Sequence, residues 1–123
     1  MTTSTKTPEQ LATAVMRKLG IIDVTKEPTA IEQAVIIDIY NDKIEELFPR
    51  DKVFWDSDLI PRQVFGAMVR IVAEEFATIQ GKDVPTEQDE DGKVISIGNR
   101  GLRMLTKIMA RESADIPVKA AYF

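Results

Sequence analysis

Apolar residues recur at helical spacing in four separate stretches of the chain, and each stretch is bounded by residues that start or stop helices. The first helix is predicted to begin after Thr7, because Gln10 stands three residues later and the pair forms a capping-box pattern around Pro8. Gly20 is predicted to end it. Its apolar stripe consists of Leu11, Val15 and Leu19.

The second helix is predicted from Thr29 to about Leu47, because Thr29 and Glu32 repeat the capping-box pattern. Residues 34–40 are apolar on nearly every side, whereas a helix packed on one side needs only a stripe. This predicts either a central helix or one covered by another subunit, and the shortness of the chain favours the second. The candidate subunit-interface residues here are Ile36, Ile39 and Tyr40, which we expect not all to face one core.

The third helix is predicted to open at Pro61 and to run to Gly81. Gly66 lies inside it at a cost of about 1 kcal/mol relative to Ala, which indicates a close approach by another backbone and makes Gly66 a fourth candidate interface residue. The loop at 49–60 contains Trp55, which either caps the core or anchors an interface.

Residues 93–97 alternate in polarity and could form a short strand, although a strand needs a partner. The fourth helix is predicted from about Asn99 to Glu112, with its apolar residues on one face. These are Leu102, Leu105, Ile108 and Met109.

The predicted fold is mostly α, a small bundle of about four helices with an acidic loop and an extended C-terminal tail. We expect a mobile N-terminus over residues 1–7 and a single helical domain over 8–112. That domain includes the acidic loop at 82–92. Residues 113–123 are expected to form a C-terminal docking tail.

The absence of Cys and His from the 123 residues excludes more kinds of catalytic and metal-binding chemistry than any other feature of the composition. It removes thiolate nucleophiles, Cys-based zinc sites, the commonest metal ligand and the side chain best suited to proton transfer near neutrality. The neighbouring carboxylates Glu45–Glu46 and Glu74–Glu75 do not converge on one atom, because adjacent helical residues point about 100° apart. The chain is therefore predicted not to be an enzyme and to need no cofactor or metal.

Two weak ligand patterns point to the same conclusion. Residues 87–98 have partial calcium-loop spacing, but Gly98 stands where the bidentate Glu belongs, and a flexible acidic turn is the better interpretation. The glycines at 98 and 101 could place a phosphate at a helix N-terminus, but the spacing of a P-loop is missing.

Charge is distributed unevenly around a net charge of −4. The acidic loop sets one lysine against five carboxylates, whereas residues 93–123 carry six cations and two carboxylates. The basic segment suits an anionic partner, protein or nucleic acid, or is simply a solvated helix face. No apolar run is long enough for a membrane span and no signal peptide is apparent, so we expect a soluble protein made in the cytoplasm, with no membrane partner.

The C-terminal tail is apolar where chain ends are usually polar. It is predicted to dock, either on its own domain or on a partner. The candidate partner-binding residues of the tail and of the helix before it are Arg103, Lys107, Arg111, Ile116, Val118, Tyr122 and Phe123.

The order of these pieces resembles the head–tail adaptor, or connector, proteins of tailed bacteriophages. The resemblance covers residues 8–81. It rests on a capped first helix ending Leu19–Gly20, on Pro28 to Ala34 opening a long second helix that ends Ile44 to Leu47, and on a Trp-containing loop. Ile60–Pro61 then opens the third helix.

The resemblance implies a structural virion protein, assembled in the host cytoplasm, that joins the portal vertex of the capsid to the tail. Its implied partners are the portal protein, tail or stopper and tail-terminator proteins, and further copies of itself in a ring, commonly of twelve. DNA would pass through the channel without specific binding. The family is expected to have no cofactor and no reaction.

Two other functions remain open at this point. A small helical DNA-binding regulator is the main alternative, although the connectors are long for a helix-turn-helix and the fourth helix offers few base-reading residues on one face. An α-helical scaffold of another kind is the third.

Overall fold

Four helices share one hydrophobic core in the structure, a computed structural model that describes residues 5–48 and 53–114. The helices are α1 (Pro8–Lys18), α2 (Ala30–Leu47), α3 (Arg62–Ile79) and α4 (Ile97–Ala114). Two small antiparallel sheets join them. β1 (Thr5–Lys6) pairs with β2 (Ile60–Pro61), and β3 (Thr86–Gln88) pairs with β4 (Val94–Ser96). The predicted mostly helical bundle is confirmed.

The predicted helix starts of α1 and α2 are confirmed atom by atom. Thr7 and Gln10 exchange side-chain and backbone hydrogen bonds, and Thr29 and Glu32 do the same. At the other end of α1, Gly20 has φ of +72°, and the next N–H reaches the carbonyl of Met16 at 3.0 Å. Such a left-handed turn favours glycine and closes the helix where the sequence predicted.

Helix α3 is the centre of the bundle, because it packs against each of the other three helices. The prediction for α2 is wrong in its premise: Ile36, Ile39 and Tyr40 are all buried within the monomer. Residues at i, i+3 and i+4 lie on one face of a helix, so these three side chains face the same core without difficulty.

The loop between α2 and α3 is tied to α2 by its tryptophan. Trp55 donates its indole N–H to the Tyr40 hydroxyl (3.2 Å), which in turn donates to the Ser57 carbonyl (2.9 Å). Burial raises the pKa of the Tyr40 phenol. Trp55 is half-buried against the core, which agrees with the interpretation that it caps the core.

Three segment boundaries differ from those predicted. Thr5 and Lys6 pair with Pro61 and Ile60, so the N-terminal segment is anchored from residue 5 onward, because extended backbone groups find partners beside the start of α3. Helix α4 begins at Ile97 and continues to Ala114, two residues into the predicted tail. Residues 115–123, and with them most of the predicted docking tail, lie outside the described residues.

Helices α3 and α4 come close together at a glycine. A Cβ on Gly101 would lie 2.5 Å from the carbonyl oxygen of Ala67. The close backbone approach expected at Gly66 is wrong for that residue, because the glycine that permits the approach is Gly101 on the opposing helix. Gly66 itself faces the flexible ends of Arg70 and Met104.

This contact predicts opposite effects of the same substitution at two glycines, each the fifth residue of its helix. Gly101→Ala should lower the melting temperature, since overpacking against an immovable backbone atom costs about 1–3 kcal/mol. Gly66→Ala should leave it unchanged or raise it, because Ala gains up to about 1 kcal/mol of helix propensity and only the Arg70 side chain must move. Thermal unfolding followed by circular dichroism measures both. Equal melting temperatures for the two variants would contradict the contact.

Candidate interaction surfaces

The acidic loop folds into an ordered β-hairpin rather than a flexible turn. Gly92, with φ of +80°, donates its N–H to the carbonyl of Asp89, and the Asp89 carboxylate accepts from the N–H groups of Asp91 and Lys93 (2.9 Å each). A short polar side chain at the start of such a turn organises its own backbone. The short strand predicted within residues 93–97 needs a partner strand, and residues 86–88 form it.

Glu87 connects two helices through one carboxylate. Its Oε2 accepts from Lys18 Nζ on α1, and its Oε1 accepts from Arg70 Nε on α3, both at 2.7 Å. Burial raises the pKa of Glu87, but the hydrogen bonds and charges of Arg70 and Lys18 lower it more, so the pKa lies below its ordinary value. The carboxylate therefore stays ionised and stabilises the folded state near neutrality.

The hairpin turn faces the cations of α4. Glu90 pairs with Lys107 at 2.8 Å and with Arg100 at 3.9 Å, and Asp89 lies 3.5 Å from Arg103. The Asp89 side chain is only 2% exposed. Backbone hydrogen bonds from Lys93 and Asp91 lower the pKa of Asp89, and the hydrogen bond from Lys107 lowers that of Glu90.

Two of the three predicted partner-binding cations, Arg103 and Lys107, pair with hairpin carboxylates, and their side chains stay 50% and 63% exposed. Arg111 is exposed one turn beyond Lys107. Arg103 and Lys107 border a groove of about 470 Å³ whose apolar residues are Ile95 and Leu102. The other predicted partner-binding residues, Ile116, Val118, Tyr122 and Phe123, lie outside the described residues.

A larger groove of about 690 Å³ lies between α1 and α3 and includes the predicted interface residue Gly66. Its apolar floor and basic rim are the two features that define this α1–α3 groove. The floor is formed by Ala14, Phe65 and Val69, and the rim carries Lys6, Arg17, Lys18 and Arg70. The Lys6 ammonium stands 5.6 Å from the centre of the Phe65 ring, within cation–π distance.

Helix α2 turns a mixed apolar and acidic stripe towards solvent, in place of the three residues predicted for an interface. Ile31 is 79% exposed and Val35, one turn on, 36% exposed. We call this stripe the outward face of α2. Its residues are Ile31, Ala34, Val35, Asp38, Asp42 and Glu45, all exposed.

The N-terminus of α4, where the sequence allowed a bound phosphate, is occupied by a carboxylate of the same chain. Glu74 of α3 accepts the Gly98 N–H at 2.9 Å, and Ser96 accepts from Asn99 at 3.3 Å. A Cβ on Gly98 would lie 2.6 Å from Glu74 Oε1, so the glycine gives the carboxylate room. Glu74 therefore caps a helix, a role that its interpretation as a solvated face charge missed.

Within the described ranges, no three or more Asp and Glu side chains come together as metal ligands. Three of the four hairpin carboxylates, Glu87, Asp89 and Glu90, face cations instead. None of the helices in the same ranges is both long and apolar enough to cross a membrane.

Comparison with protein-family models, with curated proteins and with solved structures finds no match to this chain.

Glu87 makes the stability of the fold depend on pH. A carboxyl group whose pKa is lowered by folding stabilises the protein above its unfolded pKa and loses that contribution as pH falls through the folded value. Glu87→Gln should therefore melt at a lower temperature than the parent at pH 7, and the difference should shrink as pH falls below about 4. Melting curves from pH 7 to 3 measure this.

Glu45→Gln is the matched control, because Glu45 is exposed and forms no ion pair with a described residue. It should melt with the parent at pH 7. A pH-independent gap for Glu87→Gln would show that its ion pairs do not act as described.

Proposed function

We propose that this chain is a structural adaptor subunit that forms a ring on the portal vertex of a bacteriophage capsid and joins it to the tail. The resemblance over residues 8–81 is the starting point. The observation that carries the proposal further is the outward face of α2, where large apolar side chains remain in water on a helix whose other side is fully packed. In a small domain, such a face is typical of a surface covered by assembly.

The proposed subunit contact therefore lies on the exposed side of α2 and not on its buried side. Ile36, Ile39 and Tyr40 hold the monomer together and are not available to a neighbour. Ile31 and Val35 are available. Gly66 keeps its place in the proposed contact, because it borders the open α1–α3 groove.

The basic residues of α4 are proposed to meet the portal protein. Arg103 and Lys107 already pair with carboxylates of the hairpin, so carboxylates are groups that they can bind. An acidic surface can replace the exposed Glu90–Lys107 pair with an equivalent one, because exposed ion pairs exchange at small free-energy cost. The residues beyond 114 are proposed to follow α4 onto the same partner.

Helix connectivity favours this proposal over a DNA-binding regulator. A helix-turn-helix joins its helices by a turn of about three or four residues. Here the β3–β4 hairpin separates α3 from α4, and residues 19–29 separate α1 from α2.

The direct test mixes the purified chain with portal rings encoded in the same genome. Negative-stain electron microscopy should show an added ring of density at the portal face, and the chain should sediment with the portal. A gel shift at about 50 mM salt provides the counter-test, because a regulator would bind one duplex specifically and with strong salt dependence. Specific duplex binding without attachment to portal rings would overturn the proposal.

A pair of substitutions on α2 separates the core from the proposed contact. Ile31→Asp should leave helicity and melting temperature unchanged, since the residue is exposed in the first turn, where a negative charge is favourable. It should reduce attachment to portal rings. Ile36→Asp should lower the melting temperature sharply or unfold the monomer, because an unpaired buried charge costs about 3–5 kcal/mol of a total stability of about 5–15 kcal/mol.

Circular dichroism and co-sedimentation with portal rings measure both properties of each variant. A folded Ile31→Asp chain that attaches as well as the parent would remove the outward face of α2 from the contact. An Ile36→Asp chain that melts at the same temperature as the parent would contradict the described core.

A further inference from the structure

Two surfaces of this chain complement each other although they lie on different elements. We propose that the outward face of α2 in one copy docks into the α1–α3 groove of a second copy. None of the residues lining the groove belongs to α2, so both surfaces are available in the same molecule.

The groove carries more positive charge than its own carboxylates neutralise. Lys6 and Arg17 form no ion pair with any described residue; Arg17 instead donates to the carbonyls of Val24 and Lys26 at 3.2 and 3.4 Å. Lys18 and Arg70 share the single carboxylate of Glu87. In a chain with net charge −4, this is a local excess of cations that fits an acidic surface.

The outward face of α2 has the opposite imbalance. Asp38, Asp42 and Glu45 are exposed and form no ion pair with a described residue. The one lysine on this helix, Lys43, is turned to the other side and pairs with Glu75 of α3 and with Glu46. The stripe therefore presents three unpaired carboxylates along one line.

The apolar parts complement each other as well. The groove has a floor of Ala14, Phe65 and Val69 beneath its basic rim. The α2 stripe has Ile31 and Val35 in its first half, before the carboxylates begin. Ile31 and Val35, one turn apart, can contact the floor. The carboxylates follow further along the same face and can meet the cations of the groove, as an amphipathic helix in a groove does.

The dimensions are compatible with this mode. From Ile31 to Glu45 the stripe is about 21 Å long at 1.5 Å per residue, and the groove follows α1 for about 12 Å from Gln10 to Lys18. Two to three turns of α2 can therefore lie in the groove.

A nucleic-acid strand suits the groove less well. A phosphate backbone would leave the apolar floor of Ala14, Phe65 and Val69 uncovered. A protein surface that brings apolar side chains and carboxylates together matches both the floor and the rim.

A contact between two different surfaces adds copies in one direction, so it closes into a ring when the rotation per copy allows. Ring closure rests on the proposed function, whereas the pairwise contact does not. The contact can therefore be tested without a portal protein.

The decisive experiment reverses charge on each surface separately. The variants Asp38→Lys/Asp42→Lys and Lys6→Glu/Arg17→Glu are compared with the parent by sedimentation velocity up to about 1 mM, a concentration that detects weak association. Each variant alone should associate at least about tenfold more weakly than the parent, because like charges then face each other. An equimolar mixture of the two variants should associate again, since each altered surface then meets a complementary one.

The matched control is Asp83→Lys/Asp91→Lys, which makes the same change in net charge as Asp38→Lys/Asp42→Lys at exposed positions outside both surfaces. It should associate like the parent. Raising salt from about 0.1 M to about 1 M should weaken the parent, as the screening length falls from about 10 Å to about 3 Å.

The absence of Cys from the chain permits a second, independent measurement. Single-cysteine chains Asp38→Cys and Thr13→Cys, mixed in equal amounts under mild oxidation, should form the mixed disulfide at well over about twice the yield of either homodimer, which is the ratio that random pairing gives. Replacing Thr13→Cys by Thr106→Cys on α4 should remove that preference.

Three outcomes would overturn the proposal. One is a parent chain that stays monomeric at about 1 mM and low salt. Another is groove reversal without effect while α2 reversal weakens association, which would indicate contact between two α2 helices. The third is failure of the mixture to restore association. If the chain nevertheless attaches to portal rings, the proposed function stands and only this contact is wrong.

Discussion

The close contact between α3 and the first turns of α4 determines how the second half of this molecule is arranged. Gly101 lets the backbones approach, and Gly98 lets the Glu74 carboxylate reach the helix start. Together they hold α4 alongside the central helix. The chain must then return from the end of α3 to the start of α4 within residues 80–96, and the hairpin provides that return.

The position of the hairpin explains why so many carboxylates lie in one short segment. Once it is placed beside α4, its turn faces Arg103 and Lys107, while Glu87 on its first strand reaches Lys18 and Arg70. Glu87, Asp89 and Glu90 each meet cations from helices distant in sequence. The Asp89 and Glu90 pairs join the acidic segment to α4, whose Arg103 and Lys107 stay open to solvent.

Local signals in the sequence were sufficient for the helices and insufficient for the surfaces. Capping boxes at Thr7 and Thr29 and the stop at Gly20 involve atoms a few residues apart, so a single sequence specifies them. The partners of Glu74 and Glu87 are 17 or more residues away in sequence, and no local pattern indicates them. The hairpin was within reach, because Asp91–Gly92 is a turn signal between two short stretches of extended character. On α2, the number of apolar residues did not show how they are distributed around the helix axis. Ile36 and Tyr40 lie on the side that faces the core, and Ile31 lies on the side that faces solvent.

The hydrogen bonds from Trp55 to Tyr40 and on to Ser57 give this protein an optical reporter. Trp55 is the only tryptophan in the chain, so its fluorescence comes from one site, where α2 meets the loop that leads to α3. Its indole is half-buried and edge-on to Phe54, with ring centres 5.2 Å apart. The emission of this single, hydrogen-bonded indole depends on whether the loop is packed against the core. It therefore measures a different property from the helix content that circular dichroism follows.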